Sequence, residues 1–422
     1  MRFGKRISRI VIVVVVLLCC GTMSAAQEAA HGSDDALRLL PPRAARSKAE
    51  GPLREDLRRL SHLAFDRRME RFEALKTTDE IGAYQRDLRD RFIASLGGFP
   101  ARTPLNARVV GKFEHDGIRV EKIIFESQPG FFVTGILYLP SGNGPHPVVL
   151  MPCGHTDNGK AGYQQPAMTL AHSGLAVFCF DPIGQGERRQ IVPRPTEGAP
   201  SAATVPTTGE HMILGVAPIL LGRNIATYMI WDGMRAIDYL ETRPDLDLSR
   251  LGCAGNSGGG MMTSYLIALE PRIVSGAIGC FMTTSRLKNE RPGPGDAEQN
   301  IHAQYAYGLD HPDFLILHAP KPVLICAATR DYVPVAGAWD ALRQAKRIYT
   351  RLGRSERIDL VETDAPHGYS VQLREGTARW MRRWLLDEHD VVVEKASRPL
   401  SDRELQVTPA GQVLRLEGAR SM

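Results

Sequence analysis

The sequence predicts a doubly wound, mostly parallel α/β sheet with an N-terminal helical extension and two lid-like insertions. Three observations predict it. Short apolar runs at Val148–Cys153, Ala176–Phe180, Leu251–Ala254, Val274–Phe281, Val323–Ala327 and Ile358–Val361 alternate with helical stretches near 224–242, 258–269, 336–352 and 371–388. Strands that are apolar on both faces belong to a parallel sheet covered by helices on each side. A glycine-rich turn, Gly255–Gly259, joins one of these strands directly to one of these helices. The chain has 422 residues, 43% of them hydrophobic, enough for a full-sized core.

The elements follow in order. Residues 1–26 read as an export signal: Arg2, Lys5, Arg6 and Arg9 precede the apolar run Ile10–Cys20, and Ser24 and Ala26 suit a cut after Ala26. The run is short for a membrane span, which needs ~20 residues. The expectation is an exported protein, periplasmic or secreted, with no stable span after cleavage. An uncleaved N-terminal anchor is the alternative. Residues 27–52, rich in Ala, Pro and charge, read as a linker. Residues 53–98 read as a helical extension. Leu57, Leu60, Leu63 and Ala64 share one face, continued by Met69, Phe72 and Leu75. Thr77 and Glu80 match a capping box. Ile81, Tyr84, Leu88, Phe92 and Leu96 form the inner face of the next helix, which ends at Gly97-Gly98.

The α/β domain occupies residues 99–390. Arg119–Glu126 and Phe131–Leu139, separated by Pro129-Gly130, predict an antiparallel hairpin ahead of the apolar strands. The insertions span about 188–222 and 283–314. Both leave carboxyl ends of strands, where ligands bind in open α/β sheets. In the tail, 391–422, two short apolar stretches around Pro409-Ala410-Gly411 suggest a small hairpin. No internal repeat is present.

The charge balance excludes a nucleic-acid partner. Removing the four basic residues of 1–26 leaves 48 basic against 47 acidic residues, a net of +1. Five cysteines remain beyond the signal: Cys153, Cys179, Cys253, Cys280 and Cys326. They sit in or beside apolar runs and form no CxxC pair, so a disulfide framework, a zinc site and a redox motif are not indicated.

The chemistry lies in Gly255-Asn256-Ser257-Gly258-Gly259. A G-x-S-x-G turn between strand and helix lifts the serine hydroxyl above the sheet, and the helix start aims N–H groups at a developing anion. Serine needs a base, and the base an orienting carboxylate. His367 alone follows the last predicted strand, and Asp331 follows the strand before it; Asp364 is the alternative acid. The oxyanion donors are expected to be the backbone N–H groups of Gly258 and of His155, in the loop after Val148–Cys153. Asp181, Gln185, His211 and Trp231 are candidate pocket residues. Asp181 also reads as a loop former and Trp231 as core. Asp232 and Arg235 have the spacing of a helix-surface pair. Asp296 and Glu298 in the second insertion are further candidates for substrate contact.

At these motifs, residues 90–390 resemble the acetyl xylan esterase-like branch of the α/β-hydrolases, related to cephalosporin-C deacetylases and dienelactone hydrolases. The resemblance rests on the Gly255–Gly259 elbow, on Gly184-Gln185-Gly186, on Trp231–Leu240, and on Asp331 and His367. It implies a Ser-Asp-His esterase acting on acetylated sugars without metal or cofactor. Gly258, Ile183 and Gly368 stand where the branch often has Gln, Arg and Glu. A serine peptidase related to prolyl oligopeptidase and a non-catalytic binding protein of this fold are the rival readings.

Overall fold

The computed structural model describes residues 43–192, 205–290 and 295–422. The export signal lies outside the described residues, as do residues 27–42 of the expected linker. The chain divides between Leu57 and Arg58, and the unit Arg58–Met422 carries the sheet and the site.

Two helices come first. α1 (Arg43–Ala74) begins inside the segment expected to be linker, where Ala44, Ala45, Lys48 and Ala49 are good helix formers. α2 (Thr78–Ser95) is capped by the reciprocal Thr77–Glu80 bonds. Its predicted inner face is buried. In α1 the inner face is Ala64, Phe65, Arg68 and Phe72; Leu60 and Leu63, predicted inside, are exposed. A buried carboxylate fixes this face. Asp313 accepts from Arg68 at 2.6 and 3.0 Å and from Tyr84 Oη at 2.8 Å.

The sheet has nine strands: β1 (Arg108–His115), β2 (Ile118–Gln128), β3 (Phe131–Leu139), β4 (His146–Pro152), β5 (Ala176–Phe180), β6 (Leu246–Asn256), β7 (Ser275–Gly279), β8 (Val323–Arg330) and β9 (Ile358–Pro366). Their spatial order is β1-β2-β3-β5-β4-β6-β7-β8-β9. β1, β2, β3 and β5 pair antiparallel, and β5 through β9 run parallel. β1 was not anticipated. It is an edge strand whose Val109 and Val110 are exposed, so it carries no buried alternation.

Helices cover both faces: α3 (Gln164–His172), α4 (Thr207–Leu214), α5 (Val216–Leu220), α6 (Ile225–Glu241), α7 (Gly258–Leu269), α8 (Ser285–Glu290), α9 (His311–His318), α10 (Val335–Arg351), α11 (Val371–Leu385) and α12 (Asp402–Leu405). Two apolar clusters result. One contains Phe92, Phe178, Ile230 and Phe314; the other contains Val149, Met168, Trp380 and Met381. Among the described residues no single helix is long and apolar enough to cross a membrane.

The tail forms α12 and a 3₁₀ turn at Val413–Arg415 rather than the expected hairpin. The reason is a contact with a distant segment. The amides of Val407 and Thr408 donate to the Glu187 carboxylate at 2.7 and 2.6 Å instead of to a partner strand.

Candidate active site

β6 ends at Asn256 and α7 starts at Gly258, leaving Ser257 alone at the bend with φ 59° and ψ −122°. A residue other than glycine pays strain there, and such strain persists only where the surroundings enforce it. The surroundings do so. Ser257 N donates to Gly279 O at 2.9 Å. A Cβ on Gly259 would collide with the Pro152 carbonyl, so the turn closes only with glycine at that position.

Neighbouring parallel strands deliver the other two groups. Asp331 directly follows β8, and His367 directly follows β9. His367 Nδ1 donates to Asp331 Oδ1 and Oδ2, at 2.8 and 2.9 Å. A carboxylate only accepts, so the proton sits on Nδ1 and Nε2 keeps its lone pair. The Ser257 hydroxyl then donates to His367 Nε2 at 2.8 Å. Asp331 is itself oriented by the Val333 amide at 2.9 Å. Asp364 serves its own loop, accepting from Thr329 Oγ1 and Arg330 Nε at 2.9 Å each.

The loop after β4 places the His155 ring against the elbow. A Cβ on Gly258 would lie 3.0–3.1 Å from that ring. His155 Nε2 donates to Glu298 Oε1 at 2.7 Å, and His211 Nδ1 donates to the same oxygen at 3.1 Å. The other nitrogen of His211 donates to Ile183 O at 2.7 Å. Burial alone would raise the Glu298 pKa. The two imidazole hydrogen bonds overcome it and hold the carboxyl well below its usual range. His211 moves the opposite way: burial disfavours its cation, but the bond to Glu298 raises its pKa.

Ser257, Gly258, His155 and His367 line one cavity of about 250 Å³. Thr208 from the first insertion and Lys288, Asp296, Gln299 and His311 from the second complete its polar wall. Phe281, Val333 and Pro334 supply apolar surface.

The four pocket residues expected from sequence do not line this cavity. Asp181 is fully buried and accepts from Lys160 Nζ at 2.6 Å, Lys160 N at 2.8 Å and Thr134 Oγ1 at 2.7 Å. It shapes the loop. Gln185 donates to Gly154 O at 2.8 Å and Thr156 O at 3.2 Å, bracing the His155 loop from behind. His211 is fully buried and reaches the site through Glu298 and through its edge-on ring contact with His155 at 5.1 Å. Trp231 is core; its Nε1 donates to Ser127 O at 2.9 Å and its ring stacks on Phe99. Asp232 and Arg235 form no surface pair. Asp232 accepts from buried Arg188 at 2.7 Å, and Arg235 pairs with Asp238.

Sequence reasoning missed Tyr332 and Lys288. The Tyr332 ring lies 4.3 Å from the His367 ring, with its hydroxyl 3.3 Å from Nε2. Its position directly after Asp331 was a usable signal. Lys288 sits in an insertion without periodicity and gave none.

Among the described residues two groups have metal-ligand chemistry: His155–His211–Glu298 and Cys280–Asp331–His367. In both, the imidazoles already donate to carboxylates. Burial pushes the Cys280 thiol up to about 12, which disfavours the thiolate a metal would bind.

A nucleophile-elbow turn on a mostly parallel sheet, under converging loops that carry histidine and aspartate, defines an α/β-hydrolase. The acetyl xylan esterase (AXE1) family model matches residues 102–281, a stretch containing the elbow and the His155 loop. Over that stretch the chain is similar to the acetyl xylan esterase-like branch of the α/β-hydrolases, and it is a carboxylic ester hydrolase. A Bacillus subtilis (strain 168) protein provisionally named as a hydrolase, YtaP, is 24% identical over 70% of this chain and 98% of its own. The fold is shared with methylesterase BT1017, at TM-score 0.68 and 21% identity, covering 85% of this chain and 76% of the other. It is shared also with a glucuronoyl esterase from Solibacter usitatus, at TM-score 0.51 and 16% identity, covering 70% and 91%.

Proposed function

We propose that the protein removes short acyl groups, acetyl above all, from carbohydrate or related esters through a Ser257 acyl-enzyme. The observation that carries the reading is the unbroken line from Asp331 through His367 to the Ser257 hydroxyl, at hydrogen-bond distances throughout. The family match supports the substrate class.

The steps follow from the geometry. Ser257 Oγ attacks the ester carbonyl as its proton passes to His367 Nε2. Asp331 stabilises the imidazolium that forms. The tetrahedral oxyanion sits at the start of α7, where the Gly258 N–H and the His155 loop are the candidate donors. The proton on Nε2 then passes to the departing alkoxide, leaving Ser257 acylated. Water, deprotonated by the same nitrogen, attacks the acyl carbon; the acid departs and the proton returns to Ser257. The apolar wall of Phe281, Val333 and Pro334 suits a small acyl group. An export signal in residues 1–26 would bring the enzyme to polysaccharide outside the cytoplasm.

Hydrolysis of p-nitrophenyl acetate by wild type and Ser257→Ala tests this. We expect turnover by wild type and a loss of about a million-fold in the variant. A serine-reactive phosphonate should label wild type alone. An inert, unlabelled wild type would remove the catalytic reading and leave a binding protein.

A further inference from the structure

One end of the cavity is not used by these steps. Lys288, near the end of α8, donates to Gln299 Oε1 at 3.1 Å. Among the described residues no carboxylate lies within 4.0 Å of its ammonium. The nearby acids are engaged elsewhere. Gln299 donates its own N–H to Asp296 at 3.1 Å, and so stands between Lys288 and that carboxylate. Asp296 lies toward the other side, 3.7 Å from His155 Nδ1. Glu298 holds two imidazoles. Asp310 accepts from the amides of Ser285 and His311 at 2.8 and 2.6 Å.

His311 completes this end. Its ring stacks on Phe281 at 4.6 Å, and its buried Nδ1 has no hydrogen-bond partner. Burial, seconded by the charge of Lys288, holds its pKa well below the usual value, so the ring is neutral. Burial also lowers the pKa of Lys288, whose distant carboxylates offset it only in part. A partly desolvated ammonium with unused donors, lining a cavity, is incomplete without an anion.

We propose that Lys288 and His311 form an anion subsite, and that the preferred substrates are esters bearing a carboxylate on their acyl or alcohol part. The proposal deepens the esterase reading and rests on it for the word substrate. Lys288 and Ser257 line the same cavity, which at about 250 Å³ lies just below the usual range of ligand pockets, ~300–1,000 Å³. The carboxylate therefore belongs to a compact acid or alcohol, held close to the scissile bond.

The test compares charged with neutral esters on wild type, Lys288→Gln and Lys288→Arg. Mono-p-nitrophenyl succinate against p-nitrophenyl butyrate places the charge on the acyl side. The acetate esters of 3-hydroxypropanoate and of propanol place it on the alcohol side. The charged-to-neutral ratio of kcat/KM should fall roughly 10- to 100-fold in Lys288→Gln for one of the two pairs. Lys288→Arg should restore much of it. Ratios unchanged across all three proteins, in both pairs, would overturn the proposal.

A second measurement is independent of turnover. Succinate or 3-hydroxypropanoate should raise the Tm of Ser257→Ala protein, and should not raise that of Ser257→Ala/Lys288→Gln. If all four esters are inert with wild type, the esterase reading fails, while the Tm shift still decides the anion subsite. Absence of any shift from both acids, together with unchanged ratios, leaves nothing of it.

Discussion

The Ser257–His367–Asp331 line and the Lys160–Asp181–Glu187 cluster are both assembled on loops leaving the sheet, and both contain an aspartate that follows a strand. In the first, His367 is partly open to solvent and the Ser257 backbone is strained. In the second, Lys160 Nζ is buried between Asp181 at 2.6 Å and Glu187 at 2.7 Å, with Thr134 and Thr408 satisfying further lone pairs. One cluster leaves a nucleophile and a cavity beside it. The other leaves nothing free to react. The difference teaches that charge, glycine and position after a strand do not separate a reactive cluster from a structural one; solvent access and residual hydrogen-bond capacity do.

The sharpest break in this comparison is Asp331→Asn. An amide in place of the carboxylate lets the imidazole take the wrong tautomer, and kcat should fall about 10,000-fold. Its Tm should move little, because the side chain still accepts from Val333. Steady-state assays beside a thermal melt check both halves. Lys160→Met is the mirror test. It strands two buried carboxylates, and should cost about 3–5 kcal/mol in urea unfolding. The protein that remains folded should keep its kcat. A variant of normal stability with damaged kcat would erase the distinction between the clusters.

The effect of pH sharpens the comparison by a smaller amount. Burial pushes His318 down to about 3, so the folded protein leaves it neutral where the unfolded chain, near pH 6.5, takes up a proton. The unfolded state then binds more protons, and stability falls on acidification from about pH 6.5 toward 3, by up to ~1.4 kcal/mol per pH unit. His318→Gln should flatten this slope. Glu187 adds its part lower down. Burial would raise its pKa, but Lys160 and Thr408 bring it below the model-peptide value of 4.5, so its stabilising contribution is lost as pH falls through that depressed pKa. Urea midpoints measured across pH 3.5–7 separate the two windows.

The comparison also explains what could be read from the chain. The elbow and the stations of Asp331 and His367 are readable because each is tied to a strand end, and apolar strands announce themselves. The parallel strands are legible for the same reason. Side-chain direction is not encoded so simply. Asp181, Gln185, His211 and Trp231 all lie in segments around the site, yet each turns its polar atoms toward backbone or a buried partner. Lys288, Asp296 and Gln299 face the cavity from an insertion with no repeating pattern. Their placement depends on contacts with distant segments, which a local window does not contain.

The tail contact at Glu187 has a consequence in time. Its carboxylate and the Val407 amide that satisfies it are 220 residues apart. At a synthesis rate of ~5–20 residues per second, Glu187 precedes its partner by roughly 10–45 s. Through that interval a growing chain that has made Lys160, Asp181 and Glu187 holds them with part of their hydrogen bonding still to come. This buried charge cluster is thus among the last to be settled, and release of the tail is the event that settles it.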